Sequence, residues 1–261
     1  MPEGHTIHRL ARLIGGYHAG HVMRVSSPQG RFEDGAAALD GDVLVRTEGL
    51  GKHLLYHWEN TQLVLHVHLG LFGRFRHWAP DPPEPRGAIR LRMRGPERTT
   101  DLSGPTACEL LDGPAMEALR ARIGPDPLRA DADPERFFAV CHKTRRAIAK
   151  VLMDQRAIAG VGNVYRAELL YRARLDPMTP ARDLSHDTVA ALWDDTVELL
   201  RIGERTGRIV TVDPSRAPSR RKRSERYWVY KRSRCRTCDA EIQKADVENR
   251  TLYWCPVCQV G

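Results

Sequence analysis

The chain has 261 residues, with 41 Lys and Arg against 33 Asp and Glu and a formal net charge of +8. That length suits two domains and a small third, and no apolar run reaches the ~18–20 residues of a membrane-spanning helix. The positive balance points to a polyanionic partner, nucleic acid before an anionic membrane surface, with solubility alone as the bland alternative. His5, His8 and Arg9 interrupt the amino end where a signal peptide needs an apolar stretch, so a cytosolic protein is expected.

The chain opens Met1-Pro2-Glu3-Gly4-His5. Removal of Met1 would leave a prolyl secondary amine with a carboxylate beside it. Such an amine can attack a sugar C1′ and form an iminium directly. An ordinary α-amino group titrates at roughly 7.7–8.0, so a useful fraction is unprotonated near neutrality. The alternative is a flexible terminus of no consequence.

Ile7, Leu10, Ala11 and Ile14 share one face of a helix expected over Thr6–Ile14. His5 and His8 are expected on a solvated or DNA-facing surface, since their spacing offers no third metal ligand. From Val22 to Leu111 the pattern is β-rich. Val43–Val45, His53–Trp58, Leu63–Leu69 and Ile89–Arg94 read as strands, the last with an apolar face and a face of Arg90, Arg92 and Arg94. The proline-rich 80–85 segment is a surface connection. Many short strands with turns between them predict a β-sandwich.

Lys52 sits in a glycine-flanked turn just before a strand, as a solvated charge or as a second amine or phosphate contact. Leu71 and Phe72 lie between Gly70 and Gly73. By pattern they face the core; pushed outward, they could wedge into a base stack. The strand pattern stops near Arg122-Ile123-Gly124-Pro125-Asp126, where the domain boundary is placed.

Helices are then expected from Pro134 behind an Asp133 cap, around Ile148, Val151 and Leu152, from Asn163, and over Asp187–Ile202. The glycines of Gly160-Val161-Gly162-Asn163 lead into a helix N-terminus that can present N–H groups to phosphate, or can be an ordinary packing corner. Residues 213–226 carry Arg216, Arg220, Arg221, Lys222, Arg223 and Arg226 among prolines and serines. This is a cationic linker, with or without nonspecific phosphate contacts.

Four of the six cysteines form two Cys-x-x-Cys pairs, Cys235/Cys238 and Cys255/Cys258, separated by residues 239–254. That is the spacing of a closed four-thiolate structural Zn²⁺ site around a β-hairpin. Arg250 falls near the hairpin tip. Cys108 and Cys141 read as buried small hydrophobes.

Taken in order, these pieces resemble the formamidopyrimidine-DNA glycosylase and endonuclease VIII family of base-excision repair enzymes, in its endonuclease VIII-like branch. The resemblance spans nearly the whole chain. It rests on the Pro-Glu-Gly start, Gly51-Lys52, the His-Leu-Gly-x-x-Gly loop at 68–73, Arg-x-Gly-Pro-Asp at 122–126, Ile-Ala-Gly-Val-Gly-Asn at 158–163 and Arg-Thr-Leu-Tyr-Trp-Cys-Pro-x-Cys-Gln at 250–259.

It implies an α+β architecture: an N-terminal β-sandwich catalytic domain over 1–122, a helix–two-turns–helix DNA-binding domain with the basic linker over 123–226, and a zinc finger over 227–261. It implies Pro2 as the Schiff-base nucleophile, Glu3 as general acid, and Lys52 as a phosphate contact that assists β-elimination. Arg250 would act in δ-elimination. DNA contacts would come from Arg122, Asn163, Gly162 and the wedge Leu71 and Phe72. The implied protein is a monomer near the nucleoid.

Two departures stand out. Thr6 replaces a glutamate that many members carry, and Gly70 leaves a wedge of two residues. No Arg-x-Phe loop occurs at 101–106, which favours oxidised pyrimidines over 8-oxoguanine. The competing expectation is a zinc-finger protein that binds damaged or abasic DNA without cutting it.

Overall fold

The computed structural model describes residues 2–212 and 225–260. It divides into two compact units, Met1–Arg122 and Ile123–Gly261. Most of the basic linker, residues 213–224, lies outside the described residues.

The first unit begins with α1 (Gly4–His18), longer at both ends than the apolar spacing predicts. Its Ile7, Ala11 and Ile14 enter the core. Nine strands follow: β1 (His21–Val22), β2 (Arg24–Ser26), β3 (Val43–Leu50), β4 (His53–Trp58), β5 (Val64–His68), β6 (Arg74–Trp78), β7 (Ile89–Arg94), β8 (Thr99–Ser103) and β9 (Ala107–Leu111). They make two antiparallel sheets, ordered β1-β3-β4-β5-β9 and β2-β7-β8-β6.

Strand side chains alternate between faces. Leu54, Tyr56, Leu65 and Val67 of the first sheet therefore meet Val25, Leu91, Met93 and Leu102 of the second in one apolar cluster. Two short helices were not anticipated, α2 (Glu33–Leu39) and α3 (Gly113–Arg122). Each has only two buried positions, too few to mark a stripe in the sequence.

Two expectations are corrected in this unit. His5 is buried, not solvated. Burial and neighbouring positive charge hold its pKa down at about 3, so it stays neutral. The arginine face of β7 is not wholly cationic toward solvent. Arg92 is buried and donates from Nε (2.7 Å) and Nη2 (2.8 Å) to the buried Asp101, while Trp78 Nε1 donates to the same carboxylate. A guanidinium can be buried when a carboxylate stands directly across the ladder, and Arg92 and Asp101 are register partners.

The second unit is built on α4 (Pro134–Lys143), α5 (Ile148–Val151), α6 (Asn163–Arg172) and α7 (His186–Thr206), followed by a hairpin of β10 (Gln243–Asp246) and β11 (Thr251–Trp254). Asp133 caps α4 by accepting from Glu135 N, and Ser185 caps α7 by accepting from Thr188 N. The sequence suggests an apolar stripe on α6, but every residue from Asn163 to Tyr171 is buried. Such a helix is surrounded on all sides. Ile242, Val247, Leu252 and Cys255 of the hairpin region join the same apolar cluster as α4 to α7.

Among the described residues no helix is long and apolar enough to cross a membrane.

Candidate nucleic-acid site

Pro2 and Glu3 precede α1 directly. Glu3 is fully buried, and its carbonyl accepts from Thr6 N at 2.9 Å and Ile7 N at 3.4 Å. The amino end is thus bonded into the first helical turn.

Lys52 occupies the turn between β3 and β4. It lies near an imidazole cluster that the sequence reading missed. Strand register brings His53 opposite His68 and His66 opposite Glu109. His53 Nδ1 and His66 Nε2 are 2.8 Å apart, and His66 Nδ1 lies 3.0 Å from Glu109 Oε1. The His53 ring is 5.1 Å from that of His68. Burial, then His66 and His68, then Arg122 and Lys52, hold the His53 pKa at about 3. Alternation of histidine with apolar residues in Leu63–Leu69 was the available signal, but only the pairing of three strands assembles it. Arg122 is exposed at the C-terminus of α3.

The turn between β5 and β6 turns Leu71 and Phe72 outward, 44% and 84% exposed, against the core-facing alternative. The turn that carries them is tight. Gly70 has φ +63°, and a Cβ on Gly73 would lie 2.3 Å from the Leu69 carbonyl oxygen.

In the second unit, two turns link α5 to α6. Asp154 N donates to Val151 O, and Ala157 N and Ile158 N both donate to Asp154 O. Gln155, unremarked in the sequence, braces them by accepting from Gly160 N and donating to Val161 O. The Gly124-Pro125 segment lies against this corner, with Gly124 N donating to Gln155 O and Ala159 N to Pro125 O. A Cβ at Gly124 would come within 2.6 Å of the Arg156 carbonyl, which explains the glycine in Arg-x-Gly-Pro-Asp. Gly162 is the N-cap of α6 and Asn163 its first residue.

Asn163 and Arg250 are brought together through a residue the sequence reading overlooked. Asn163 Nδ2 donates to Thr251 O at 2.9 Å. The fully buried Arg166 donates to Asn163 Oδ1, Val247 O (3.2 Å) and Arg250 O (3.3 Å). The hairpin turn carrying Arg250 is therefore tied to the first turn of α6.

Buried Glu168 does similar work one turn further on. It accepts from Trp228 N, Val229 N, Tyr230 N and the Thr211 hydroxyl. A glutamate inside an apolar helix was the signal for it.

The four cysteine sulfurs lie within 4.8 Å of one another. Cys235–Cys258, Cys238–Cys255 and Cys238–Cys258 separations are 3.8, 3.4 and 3.5 Å. A tetrahedron with Zn–S bonds of about 2.3 Å has edges of about 3.8 Å, whereas a disulfide needs about 2.05 Å. Thr237 N and Cys258 N point at Cys235 and Cys255 Sγ, each at 3.4 Å, as in metal-binding knuckles. The donor set fits a structural zinc ion.

Comparison with known proteins agrees over the full length. Residues 1–104 match the family model of the formamidopyrimidine-DNA glycosylase N-terminal domain, and residues 123–214 that of the formamidopyrimidine-DNA glycosylase H2TH domain. The chain is 49% identical over 268 residues to Endonuclease 8 1 of Mycobacterium tuberculosis, covering 99% of this chain and 100% of the relative. It is 31% identical over 272 residues to the formamidopyrimidine-DNA glycosylase of Thermus thermophilus, covering 99% and 98%.

A solved complex of Lactococcus lactis Fpg with abasic-site DNA gives a TM-score of 0.81 at 25% identity, covering 98% of this chain and 99% of that one. A complex of the wild-type Lactococcus lactis protein with N7-benzyl-Fapy-dG DNA gives 0.82 at 26%, covering 99% of each. The two family models match in order and the relatives align over nearly the whole chain, and the chain belongs to the formamidopyrimidine-DNA glycosylase and endonuclease 8 family of DNA glycosylases.

Proposed function

We propose that this chain is a bifunctional DNA glycosylase and AP lyase of base-excision repair. It removes oxidised bases, pyrimidines in particular, through a Schiff base at Pro2 and cuts the strand by β,δ-elimination. The observation that carries this reading is the ordered start of the chain. Glu3 is buried and its carbonyl is bonded into α1, so a prolyl amine freed by loss of Met1 would sit on a fixed support.

In this mechanism the Pro2 nitrogen attacks C1′ and the base leaves with the C1′–N bond electrons. Glu3 supplies the proton that opens the sugar. The resulting iminium acidifies the C2′ hydrogen, whose loss expels the 3′ phosphate; a second elimination expels the 5′ phosphate. Lys52 binds phosphate and assists the first elimination, and Arg250 acts in the second. Arg122, Asn163 and Gly162 contact DNA, Asn163 also through its hold on the hairpin. Exposed Leu71 and Phe72 fill the stack left by the extruded nucleotide, offsetting a cost of a few kcal/mol.

Pyrimidine preference is supported by the 101–106 stretch. Thr99–Ser103 is strand, Gly104 turns at φ +60°, and no Arg-x-Phe pair occurs there. The zinc ion, held by Cys235, Cys238, Cys255 and Cys258, supplies rigidity and no chemistry, since four thiolates leave no open position. The domains are 1–122, 123–226 and 227–261, and the protein works as a cytoplasmic, nucleoid-associated monomer.

The test is cleavage of an abasic-site duplex by wild type and Pro2→Gly. Loss of cutting in the variant with DNA binding retained supports the assignment. Equal cutting removes Pro2 as nucleophile. Wild-type binding without any cutting favours the non-catalytic DNA-binding reading.

A further inference from the structure

The outer face of the second sheet carries a cationic cavity that none of the roles above uses. Side chains alternate along β6, so Arg74, Arg76 and Trp78 point away from the core that Phe75 joins. Register places Asp101 on β8 between Arg76 on β6 and Arg92 on β7. The proline-rich 80–85 connection folds back over this face. Its Pro80 and Pro83 carbonyls accept from Thr99 Oγ1 (3.1 Å) and Arg92 Nη1 (3.2 Å). The cavity so formed has a volume of about 700 Å³. It is lined by the buried Arg92–Asp101 pair and half-buried Trp78, and by exposed Arg74, Arg76, Arg86 and Phe72.

Four guanidiniums face two carboxylates, Asp101 and Glu84, so the lining carries two net positive charges. Both oxygens of Asp101 are already taken by Arg92 and the Trp78 indole N–H. Among the described residues no carboxylate forms an ion pair with Arg74, Arg76 or Arg86. Guanidiniums that gather without a counter-charge repel one another, and a phosphate relieves that repulsion with bidentate hydrogen bonds. Trp78 supplies an aromatic surface beside them, held by its 2.8 Å bond to Asp101. Guanidiniums for phosphate and an aromatic surface for the base are the parts of a nucleotide site, and the volume suits one. Phe72 links this cavity to the lesion, because a side chain that fills the gap of an extruded nucleotide also faces the nucleotide left without its pairing partner.

We propose that this cavity is a nucleotide site for the strand opposite the lesion, in which Arg74, Arg76 and Arg86 hold a backbone phosphate and Trp78 packs against the unpaired nucleotide. This rests on the reading of Phe72 as the wedge. The protein then tells duplex from single-stranded substrate at a place where it does no chemistry.

The experiment uses the full zinc-loaded chain as wild type, Arg76→Gln and Arg86→Gln. Both arginines are exposed, so the variants should fold, and melting curves check this. Affinity against salt is measured for a non-cleavable abasic analogue in three settings. These are a single strand, a duplex, and a duplex with uncharged methylphosphonates flanking the nucleotide opposite the analogue.

On the duplex, each variant should have a log-log salt slope shallower than wild type by about 0.9, the share of one phosphate. On the single strand the slope should not change. Methylphosphonates should cost wild type the same ~0.9 and the variants nothing more. Loss of a general positive field would not give that non-additivity.

Equal changes on duplex and single strand would put the arginines on the damaged strand, and additive losses would make them a diffuse field; either overturns the proposal. So would saturable binding of deoxycytidine 5′-monophosphate to the DNA-free protein, lost in R76Q, alongside unchanged duplex slopes, since the cavity would then serve free nucleotides. Phe72→Ala tests the wedge separately. Excision from duplex as fast as wild type in that variant removes the wedge and, with it, the placement opposite the lesion. A wedge that holds, beside unchanged slopes in R76Q and R86Q, overturns the nucleotide site alone.

Discussion

Replacing Arg166 by methionine tests how the helical unit holds Arg250. The guanidinium is fully buried and donates to Val247 O, Arg250 O and Asn163 Oδ1. Methionine keeps much of the volume and removes every donor. Arg250 O retains Val247 N at 3.0 Å, so the acceptors stripped of this donor are chiefly Val247 O and Asn163 Oδ1. An unsatisfied buried acceptor costs about 1–3 kcal/mol. Two cost about 2–6 kcal/mol, reduced because a guanidinium no longer has to be desolvated.

The expected net loss is about 2–4 kcal/mol, concentrated in the hairpin. Hydrogen exchange of amides in 243–254 reads this locally, and protection should fall roughly 30- to 1000-fold. On abasic DNA the variant should still give the β-elimination product while the δ product drops, because the turn that carries Arg250 loses the Arg166 guanidinium and keeps the weaker hold of Asn163 Nδ2 on Thr251 O. Protection within threefold of wild type, together with normal δ product, would refute the reasoning.

Phe72→Ala should leave the melting temperature unchanged, since an exposed side chain adds little to stability, while slowing base excision from duplex DNA more than from single strands. Removing zinc with a chelator should release one ion per chain and erase exchange protection in the hairpin, because structural zinc is folding energy; the first unit should keep its melting transition. Acid should destabilise the first unit. His5 and His18 have folded pKa values lowered to about 3 and 4, chiefly by burial, so the unfolded chain takes up protons first as pH falls below about 6.5. Stability present above that pH should decline toward pH 4, by up to about 1.4 kcal/mol per pH unit for each histidine, read from urea melts between pH 7 and 4.

Local rules carried the sequence reading a long way. Asp133 before Pro134, period-2 runs such as His53–Trp58, and the Cys-x-x-Cys pairs each announce their structure within a few residues. What stayed hidden depends on partners distant in sequence. Arg92 looks like one of three solvated arginines until Asp101 is seen across the ladder. His66 gains its meaning from Glu109, forty-three residues later. Arg166 and Glu168 sit in a motif that attracts attention to its glycines and asparagine, yet they join α6 to segments forty-three to eighty-four residues away. His5 was misplaced because a histidine at a chain start gives no sign of its burial. By pattern Leu71 and Phe72 face the core; the structure instead leaves them exposed on a turn with a positive φ at Gly70 and no room for a Cβ at Gly73.

Covalent chemistry at Pro2 is read out by borohydride trapping. The protein is incubated with an oligonucleotide carrying one abasic site, reduced, digested and mapped by mass spectrometry. The expected result is an adduct on the nitrogen of Pro2 in a chain lacking Met1. An adduct on Lys52, or none from a chain that begins at Pro2 and binds the DNA, would contradict it.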